Sequence, residues 1–248
     1  MSKCLIVTGG GRGIGAEVSR KAAKQGYSVC VNVHRDQASA QKLVREMEKE
    51  GANALAYQAD VSQEEEVEAL FQTVEKHLGT PEALVNNAGI LDLQTRVDGM
   101  NAERIQRIFA VNVTGSFLCA REAVKRMSTK YGGKGGSIVN LSSGAAKYGS
   151  PGEYVDYAAS KAAIDTLTIG LAKEVAEEGI RVNAVRPGFI DTEIHQSGGE
   201  PDRMERVRPL VPMKRVGQAE EVADAIMWLL SDKASYTTGT ILDVSGGR

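Results

Sequence analysis

The sequence is poor in the residues that build metal centres and disulfide frameworks. It has three cysteines and three histidines in 248 residues, and neither set shows the short spacing of a zinc site. Two of the three cysteines lie in apolar runs typical of strands, so we interpret all of them as small buried side chains in a reducing compartment. The sequence therefore predicts no metal. The cysteines are Cys4, Cys30 and Cys119.

An excess of one charge and a long hydrophobic run are also missing. Thirty basic and 32 acidic residues give a formal net charge of −2, which indicates neither a nucleic-acid partner nor a membrane surface. The first apolar run meets glycine at position 9, too early for a signal peptide or a membrane-spanning helix. With 42% hydrophobic and 25% charged residues, we expect a cytoplasmic protein that handles small molecules.

Strand-like apolar runs alternate with amphipathic helical segments along the chain, which is typical of parallel strands joined by crossover helices. We predict an α/β fold: a single domain over residues 1–248, with one Rossmann-type doubly wound parallel sheet of about seven strands and helices on both faces. Residues 190–217, which contain a glycine pair and three separate prolines, are predicted to form a substrate loop. The predicted strands lie near Lys3–Thr8, Ser28–Val33, Asn53–Gln58, Ala83–Asn87, Gly136–Leu141, Arg181–Arg186 and Thr240–Val244. The predicted helices are Gly13–Gln25, Ala38–Glu50, Glu64–His77, Ala102–Met127, Val155–Glu178 and Glu220–Leu230.

A glycine-rich run, TGGGRGIG at residues 8–15, follows the first strand and opens the first helix. In this position glycines let the backbone approach a pyrophosphate, and the free amides of the helix N-terminus favour its negative charge. We predict that a dinucleotide binds there. The predicted contacts are Gly9, Arg12, Gly13, Ile14 and Gly15.

The end of the second strand normally selects between NAD and NADP, through an acidic group for the ribose hydroxyl or a basic group for the 2′-phosphate. The residues here are Asn32-Val-His-Arg35, and Asp36 comes only after the arginine. Arg12 and Arg35 would suit a phosphate by bidentate donation, which favours NADP. The alternative is that both are solvated surface arginines.

Tyr157 and Lys161 are four residues apart, which places a phenol and an ammonium on one face of a helix. A nearby positive charge favours the phenolate and would adapt the tyrosine for proton transfer. By itself the spacing is more often that of a solvated helix face with a packed ring.

Seven motifs in sequence order resemble those of the classical short-chain dehydrogenases/reductases, and the resemblance covers essentially the whole chain. Each motif lies at the carboxyl end of a predicted strand or in the helix that follows, so all of them would meet in one crevice. They are Thr8–Gly15, Asp60-Val61, Asn86-Asn87-Ala88-Gly89, Asn112, Ser142-Ser143, Tyr157 with Lys161, and Pro187-Gly188 with Ile190 and Thr192.

The resemblance implies a role for each motif. Tyr157 would be the general acid/base, Lys161 would lower its pKa and bind the nicotinamide ribose, and Asn112 would hold a water relay behind the lysine. A serine would bind the substrate oxygen, where charge develops as hydride is transferred. The remaining motif residues would bind the cofactor: Asp60 and Val61 at the adenine, Asn86, Asn87, Ala88 and Gly89 beside its ribose, and Pro187, Gly188, Ile190 and Thr192 at the carboxamide.

The identity of the serine stays open at this point. In many family members it lies thirteen residues before the tyrosine, but here that position is Gly144 and Ser143 lies fourteen before. We choose Ser143, because Asn140–Ser143 aligns with the usual strand end, and keep Ser142 as the alternative.

The resemblance implies an NADP-dependent oxidoreductase that interconverts an alcohol and a ketone or aldehyde. One alternative is an NAD-dependent sugar dehydrogenase of the glucose type. Another is a regulator that senses a dinucleotide without catalysis, which has no use for the tyrosine and its partners. Family members are usually homotetramers built through two long helices, here Ala102–Met127 and Val155–Glu178.

Overall fold

A computed structural model of the protein describes residues 2–192 and 203–248. Seven parallel strands form one sheet with the order β3-β2-β1-β4-β5-β6-β9, and β7 pairs with β8 in a separate two-stranded ribbon. The predicted doubly wound parallel sheet is confirmed, with the strand order reversing between β1 and β4. The strands are β1 Cys4–Val7, β2 Ser28–Val33, β3 Ala54–Gln58, β4 Pro81–Asn86, β5 Gly136–Leu141, β6 Ile180–Pro187, β7 Ile190–Asp191, β8 Gly217–Gln218 and β9 Ile241–Val244.

Helices connect the strands and cover both faces of the sheet. The α-helices are α1 Gly13–Lys24, α2 Gln37–Lys49, α3 Glu64–Leu78, α4 Ala102–Phe109, α5 Gly115–Met127, α6 Ala145–Tyr148, α7 Val155–Val175, α8 Arg203–Val207 and α9 Ala219–Leu230. A π-helical turn, Ala110–Thr114, joins α4 to α5. Single turns of 3₁₀ helix occur at Val97–Gly99, Thr129–Tyr131, Ala176–Glu178, Arg208–Leu210 and Asp232–Ala234. Within the described residues, no helix combines the length and apolar character needed to cross a membrane.

The sheet has a hydrophobic core on each face because successive strand residues point to opposite sides. Leu5 and Val7 of β1 pack with side chains of α1, α2 and α9, whereas Cys4 and Ile6 pack with those of α3 and α5. All three cysteines are free and buried, as predicted. Burial raises the pKa of Cys4 and of Cys119 to about 12, so their thiols are apolar fillers at neutral pH.

The predicted helix Ala102–Met127 is helical throughout, but a π-helical turn, Ala110–Thr114, lies within it, separates α4 from α5 and turns the side chain of Asn112 inward. The helical pattern around Ala225, Ile226 and Leu229 predicts that Trp228 packs in the core, but this prediction is wrong because Trp228 is 42% exposed. The buried side chains of α9 include Val222, Ile226 and Leu230, and Trp228 lies off the stripe that they form.

The predicted substrate loop, residues 190–217, contains short regular pieces. They are β7, α8, one 3₁₀ turn and β8. Val207 and Val211 are buried, whereas Leu210 and Met213 are exposed. Residues 193–202, which include His195 and the glycine pair expected in this loop, lie outside the described residues.

Candidate active site

A cavity of about 360 Å³ opens beyond the carboxyl ends of β4, β5 and β6. This is the edge at which open parallel sheets bind ligands, next to the reversal of strand order. Eleven residues of the seven motifs line it: Ile14, Asn87, Gly89, Ser142, Ser143, Tyr157, Lys161, Pro187, Gly188, Ile190 and Thr192.

The first turns of α7 bring Tyr157 and Lys161 into this cavity. The side chains of Tyr157 and Ser143 are hydrogen-bonded to each other, and the Nζ atom of Lys161 lies 5.7 Å from the centroid of the tyrosine ring. Lys161 is only 4% exposed, and its Nζ donates to the carbonyl oxygen of Leu141 at 2.7 Å. A hydroxyl pair and an ammonium group therefore meet at one place.

The electrostatics of this pair differ from the sequence-based expectation. Burial raises the pKa of Tyr157 above 10, and the hydrogen bond with Ser143 and the charge of Arg203 only partly oppose this. Burial also lowers the pKa of Lys161 to about 8, with Asp165 opposing. Desolvation thus outweighs the attraction between opposite charges here, and both groups are shifted toward their neutral forms.

The two neighbouring serines have different partners. Ser142 is buried, and its Oγ donates to the carbonyl oxygen of Lys161 at 3.2 Å. The Oγ of Ser143 accepts from the backbone amide of Ala145 at 3.1 Å and is hydrogen-bonded to Tyr157. Ser143 is therefore the serine that faces the phenol.

Asn112 lies in the π turn, behind the cavity rather than in its wall. Its Oδ1 accepts from the amide of Ile90 at 2.8 Å, and its Nδ2 donates to the carbonyl oxygen of Ile90 and to Ser160 Oγ, both at 3.0 Å. Ser160 Oγ in turn donates to the carbonyl oxygen of Tyr157 at 2.7 Å. Sequence reasoning missed Ser160, whose only signal is its position three residues after the tyrosine on a helix.

The glycine-rich run forms a tight turn between β1 and α1. The Nδ2 atom of Asn87 donates to the carbonyl oxygens of Thr8 and Gly9, each at 2.9 Å, and so ties the end of β4 to the turn. A Cβ on Gly15 would lie 2.6 Å from the Gly9 carbonyl oxygen, so this position excludes any side chain. No side chain caps the N-terminus of α1, and its amides are available to an anion. Gly13 lies beside Thr192, since a Cβ there would be 3.5 Å from the threonine methyl carbon.

At the adenosine end, the predicted residues lie outside the main cavity. Arg12 and Arg35 are both exposed at the ends of β1 and β2. The carboxylate of Asp36 accepts from the amide of Ser39 at 3.0 Å and caps α2. Hydrogen bonding by the side chain and the amide of Ser39, together with the charge of Arg12, lowers the pKa of Asp36. The acid after β2 is therefore engaged by the helix.

Asp60 and Val61, which follow β3, both have partners within the fold. Asp60 Oδ1 accepts from the amide and the hydroxyl of Ser62 at 2.9 and 2.8 Å. Val61 is buried and belongs to the apolar cluster beneath the sheet. Ala88, next to the cavity, donates its amide to Thr8 Oγ1 at 3.0 Å.

Several residues that line the cavity had no catalytic or binding role from the sequence, and four of them bear on its charge or its apolar wall. They are Glu153, Phe189, Arg203 and Arg248. Arg203 forms an ion pair of 2.7 Å with Glu153, and its Cζ lies 5.0 Å from the ring centroid of Tyr154. These residues come from four separate parts of the chain, so no local pattern marks them. Within residues 2–192 and 203–248, no group of three or more His, Cys, Asp or Glu side chains could hold a metal ion.

Comparison with known proteins agrees with this geometry. A family model described as enoyl-(acyl carrier protein) reductase matches residues 9–248. The chain is 58% identical to the uncharacterized oxidoreductase YgfF of Escherichia coli, over 98% of each chain. It is 38% identical to glucose 1-dehydrogenase 2 of Bacillus subtilis, over 99% of this chain and 94% of that protein. It is 36% identical to the 3-oxoacyl-[acyl-carrier-protein] reductase FabG of Staphylococcus aureus, over 100% and 98%. The chain is an enzyme that belongs to the classical short-chain dehydrogenase/reductase family.

Proposed function

We propose that the protein is an NADP-dependent oxidoreductase that interconverts an alcohol and a ketone or aldehyde. The observation that carries the proposal is the meeting of Ser143, Tyr157 and Lys161 in one cavity, with the serine and tyrosine hydroxyls hydrogen-bonded. A substrate oxygen placed between the two hydroxyls would receive a hydrogen bond from each.

The cofactor supplies or accepts the hydride, and the residues of this chain manage the proton and the charge. In the reducing direction, Tyr157 gives its proton to the substrate oxygen while Ser143 donates a hydrogen bond to the same oxygen. A raised tyrosine pKa keeps that proton in place before the reaction. Lys161, as a cation, stabilises the phenolate that forms.

The turn after β1 fits the pyrophosphate of a dinucleotide. The absence of a side chain at Gly15 lets the turn pack tightly against Gly9 and Asn87, and the uncapped N-terminus of α1 leaves free amides for the phosphates. Gly9, Gly13 and Ile14 would complete this cradle. Pro187, Gly188, Ile190 and Thr192 border the cavity opposite and would hold the carboxamide.

The choice of NADP is supported by charges at the end of β2. Arg35 is exposed, and Asp36, the acid that could bind a ribose hydroxyl instead, is engaged as the cap of α2. Arg12 and Arg35 would bind the 2′-phosphate, and Asp60 and Val61 would border the adenine. Asn87, Ala88 and Gly89 would lie along its ribose.

The mechanism is tested by replacing Tyr157 with phenylalanine. We expect kcat/KM for a carbonyl substrate that the wild type reduces to fall by about 10²–10⁴-fold, because the proton donor is lost. Tyr131→Phe, at an exposed ring outside the cavity, should change it by less than about twofold. Full activity of Tyr157→Phe would refute the mechanism.

The coenzyme choice is tested by titrating NADPH and NADH against the protein. We expect Arg35→Ser to raise the Kd of NADPH by about tenfold and to leave that of NADH unchanged, since only NADPH carries the 2′-phosphate. Arg45→Ser, on an exposed position of α2, is the matched control. Tighter binding of NADH by the wild type would favour the alternative of an NAD-dependent sugar dehydrogenase. The similarity to glucose 1-dehydrogenase 2 supports that alternative.

A further inference from the structure

The side chain of Arg248 reaches into the cavity that contains Tyr157. Its guanidinium Cζ lies 4.6 Å from the ring centroid of Phe189 and 5.0 Å from that of Tyr148. Contacts of this kind use the flat faces of the guanidinium group. The N–H groups in its plane remain able to bind a ligand.

The backbone around Arg248 is anchored on both sides of the cavity. Gly188 donates its amide to the carbonyl oxygen of Val244 at 2.9 Å, and Met213 donates to that of Gly246 at 3.1 Å. Ser245 Oγ then donates to the carbonyl oxygen of Arg248 at 2.7 Å. The guanidinium is therefore held by the same segments that form the cavity wall, and it is not a loose surface side chain.

The Nη1 atom of Arg248 is buried and has no hydrogen-bond partner within the described part of the chain. A buried charged donor without an acceptor loses its hydration and gains nothing in return. A ligand with an acceptor at this point would remove that penalty. The other arginine of the cavity, Arg203, is ion-paired with Glu153 at 2.7 Å.

The charges that line the cavity select the kind of acceptor. Apart from tyrosines, the described residues that line it contribute one anion and three cations: Glu153, Lys161, Arg203 and Arg248. Glu153 is already bound by Arg203 at 2.7 Å and by Arg206 at 3.1 Å. Lys161 lies beside Tyr157, where the proposed proton transfer takes place. Among the described residues, the guanidinium of Arg248 thus faces the cavity without an ion pair, and its single charge matches a singly charged carboxylate better than a phosphate dianion.

We propose that the substrate carries a carboxylate that Arg248 binds, so that the protein interconverts an oxo acid and a hydroxy acid. This inference rests on the proposed function. The oxo acid, NADPH and a proton give the hydroxy acid and NADP⁺: hydride adds to the carbonyl carbon, and the Tyr157 hydroxyl gives its proton to the carbonyl oxygen. The carboxylate stays ionised and unchanged. The rings of Tyr148, Tyr154 and Phe189 border the cavity and suit an apolar spacer between the two groups.

Binding can be tested without turnover. Calorimetric titrations in the presence of NADP⁺ compare 4-acetylbenzoate with its neutral analogue 4-acetylbenzamide and with 4-acetylphenyl phosphate. We expect wild type to bind the carboxylate at least about tenfold more tightly than the amide, because a charge-assisted hydrogen bond is added. In Arg248→Gln this ratio should fall below about threefold.

Lys147→Gln is the matched control. Lys147 also lies over the Tyr148 ring, at 6.0 Å, but it does not line the cavity. The variant removes one positive charge near the same ring, and we expect it to keep the wild-type ratio. Thermal melts of both variants confirm that they fold.

Several results would overturn the proposal. They are equal binding of the carboxylate and the amide, binding of neither, a ratio that survives in Arg248→Gln, or a phosphate that binds more tightly than the carboxylate. NADPH oxidation with 4-acetylbenzoate and 4-acetylbenzamide tests the proposed reaction separately from the Arg248 site. A carboxylate preference in binding without any turnover would support the Arg248 site and contradict the proposed reaction, whereas turnover with no preference would do the reverse.

Discussion

Ser142 and Ser143 are adjacent in sequence, yet only one of them can act on a substrate oxygen bound at Tyr157. Ser142 Oγ is committed to the carbonyl oxygen of Lys161. Ser143 is hydrogen-bonded to Tyr157. The two hydroxyls have different partners because successive side chains point to opposite sides of an extended chain, here directly after β5.

We predict that Ser143→Ala lowers kcat/KM by about 10²–10³-fold, the usual cost of removing one hydrogen bond to a developing oxyanion. Ser142→Ala should lower it by less than about fivefold, because its hydroxyl supports only a backbone carbonyl. Steady-state kinetics of the two variants with one carbonyl substrate make the comparison. The reverse order would assign the role to Ser142.

The buried charge of Lys161 lowers the free energy of unfolding of the protein. Its pKa is lowered from 10.5 to about 8, mainly by burial. Below pH 8, Lys161 is therefore charged in the folded protein, where the ammonium is less well solvated than in the unfolded chain. The penalty is constant below pH 8. It shrinks as pH rises toward 10.5, because Lys161 then loses its proton in the folded state while the unfolded state retains it.

We predict that Lys161→Met stabilises the protein by about 3 kcal/mol at pH 7 and by about 1 kcal/mol at pH 9.5, while it abolishes activity. Urea unfolding of both proteins at the two pH values measures the difference. A gain that grows with pH would show that the charge of Lys161 is not the cause.

At the scale of elements, the π turn between α4 and α5 is the feature that connects fold to site. An inserted residue widens one helical turn and is a frequent feature of functional sites. Here it aims Asn112 at the backbone of Ile90 and at Ser160. The turn thus links the segment after β4 to the helix that carries Tyr157 and Lys161, and makes Asn112 a positioning residue.

We predict that Asn112→Ala lowers the free energy of unfolding by about 2–4 kcal/mol, because it leaves several buried polar groups without a partner. Asn101→Ala, which removes only the side-chain cap of α4 at Arg104 N, should cost about 1 kcal/mol. Denaturant unfolding measures both. Equal losses would mean that the π turn does not depend on Asn112.

At the scale of the whole molecule, α4, α5 and α7 retain large apolar side chains on their outer faces. Ile105, Phe117 and Ile169 are 38%, 51% and 41% exposed. Exposed apolar side chains on neighbouring helices are typical of an interface between copies of a chain. They support the expectation of a homotetramer built through these helices.

We predict that the protein has four times the chain mass in size-exclusion chromatography with light scattering. Phe117→Glu should reduce that mass, because a carboxylate would be buried without a partner in the interface. Tyr131→Glu, at another exposed aromatic residue, should leave it unchanged. A monomeric wild type would contradict the prediction.

The sequence by itself determined the sheet and the positions of its motifs. Alternation of apolar runs and amphipathic segments is a local property, and it predicted the seven strands to within a few residues. The motifs could be placed because the carboxyl ends of parallel strands meet at one edge. Glycine spacing after β1 and the step from Tyr157 to Lys161 needed no knowledge of distant contacts.

Tertiary structure alone decided the features that depend on distant parts of the chain. Burial reversed the expected shift of the Tyr157 pKa, and desolvation cannot be read from neighbours in sequence. Contacts between segments far apart in the chain also set the partners of Asn112 in the π turn and the hydrogen bond of Ser142 to Lys161. The same is true of the position of Arg248 beside Phe189 and Tyr148. A sequence pattern records which side chains are available, but the packing of the whole molecule sets which of them face the same cavity.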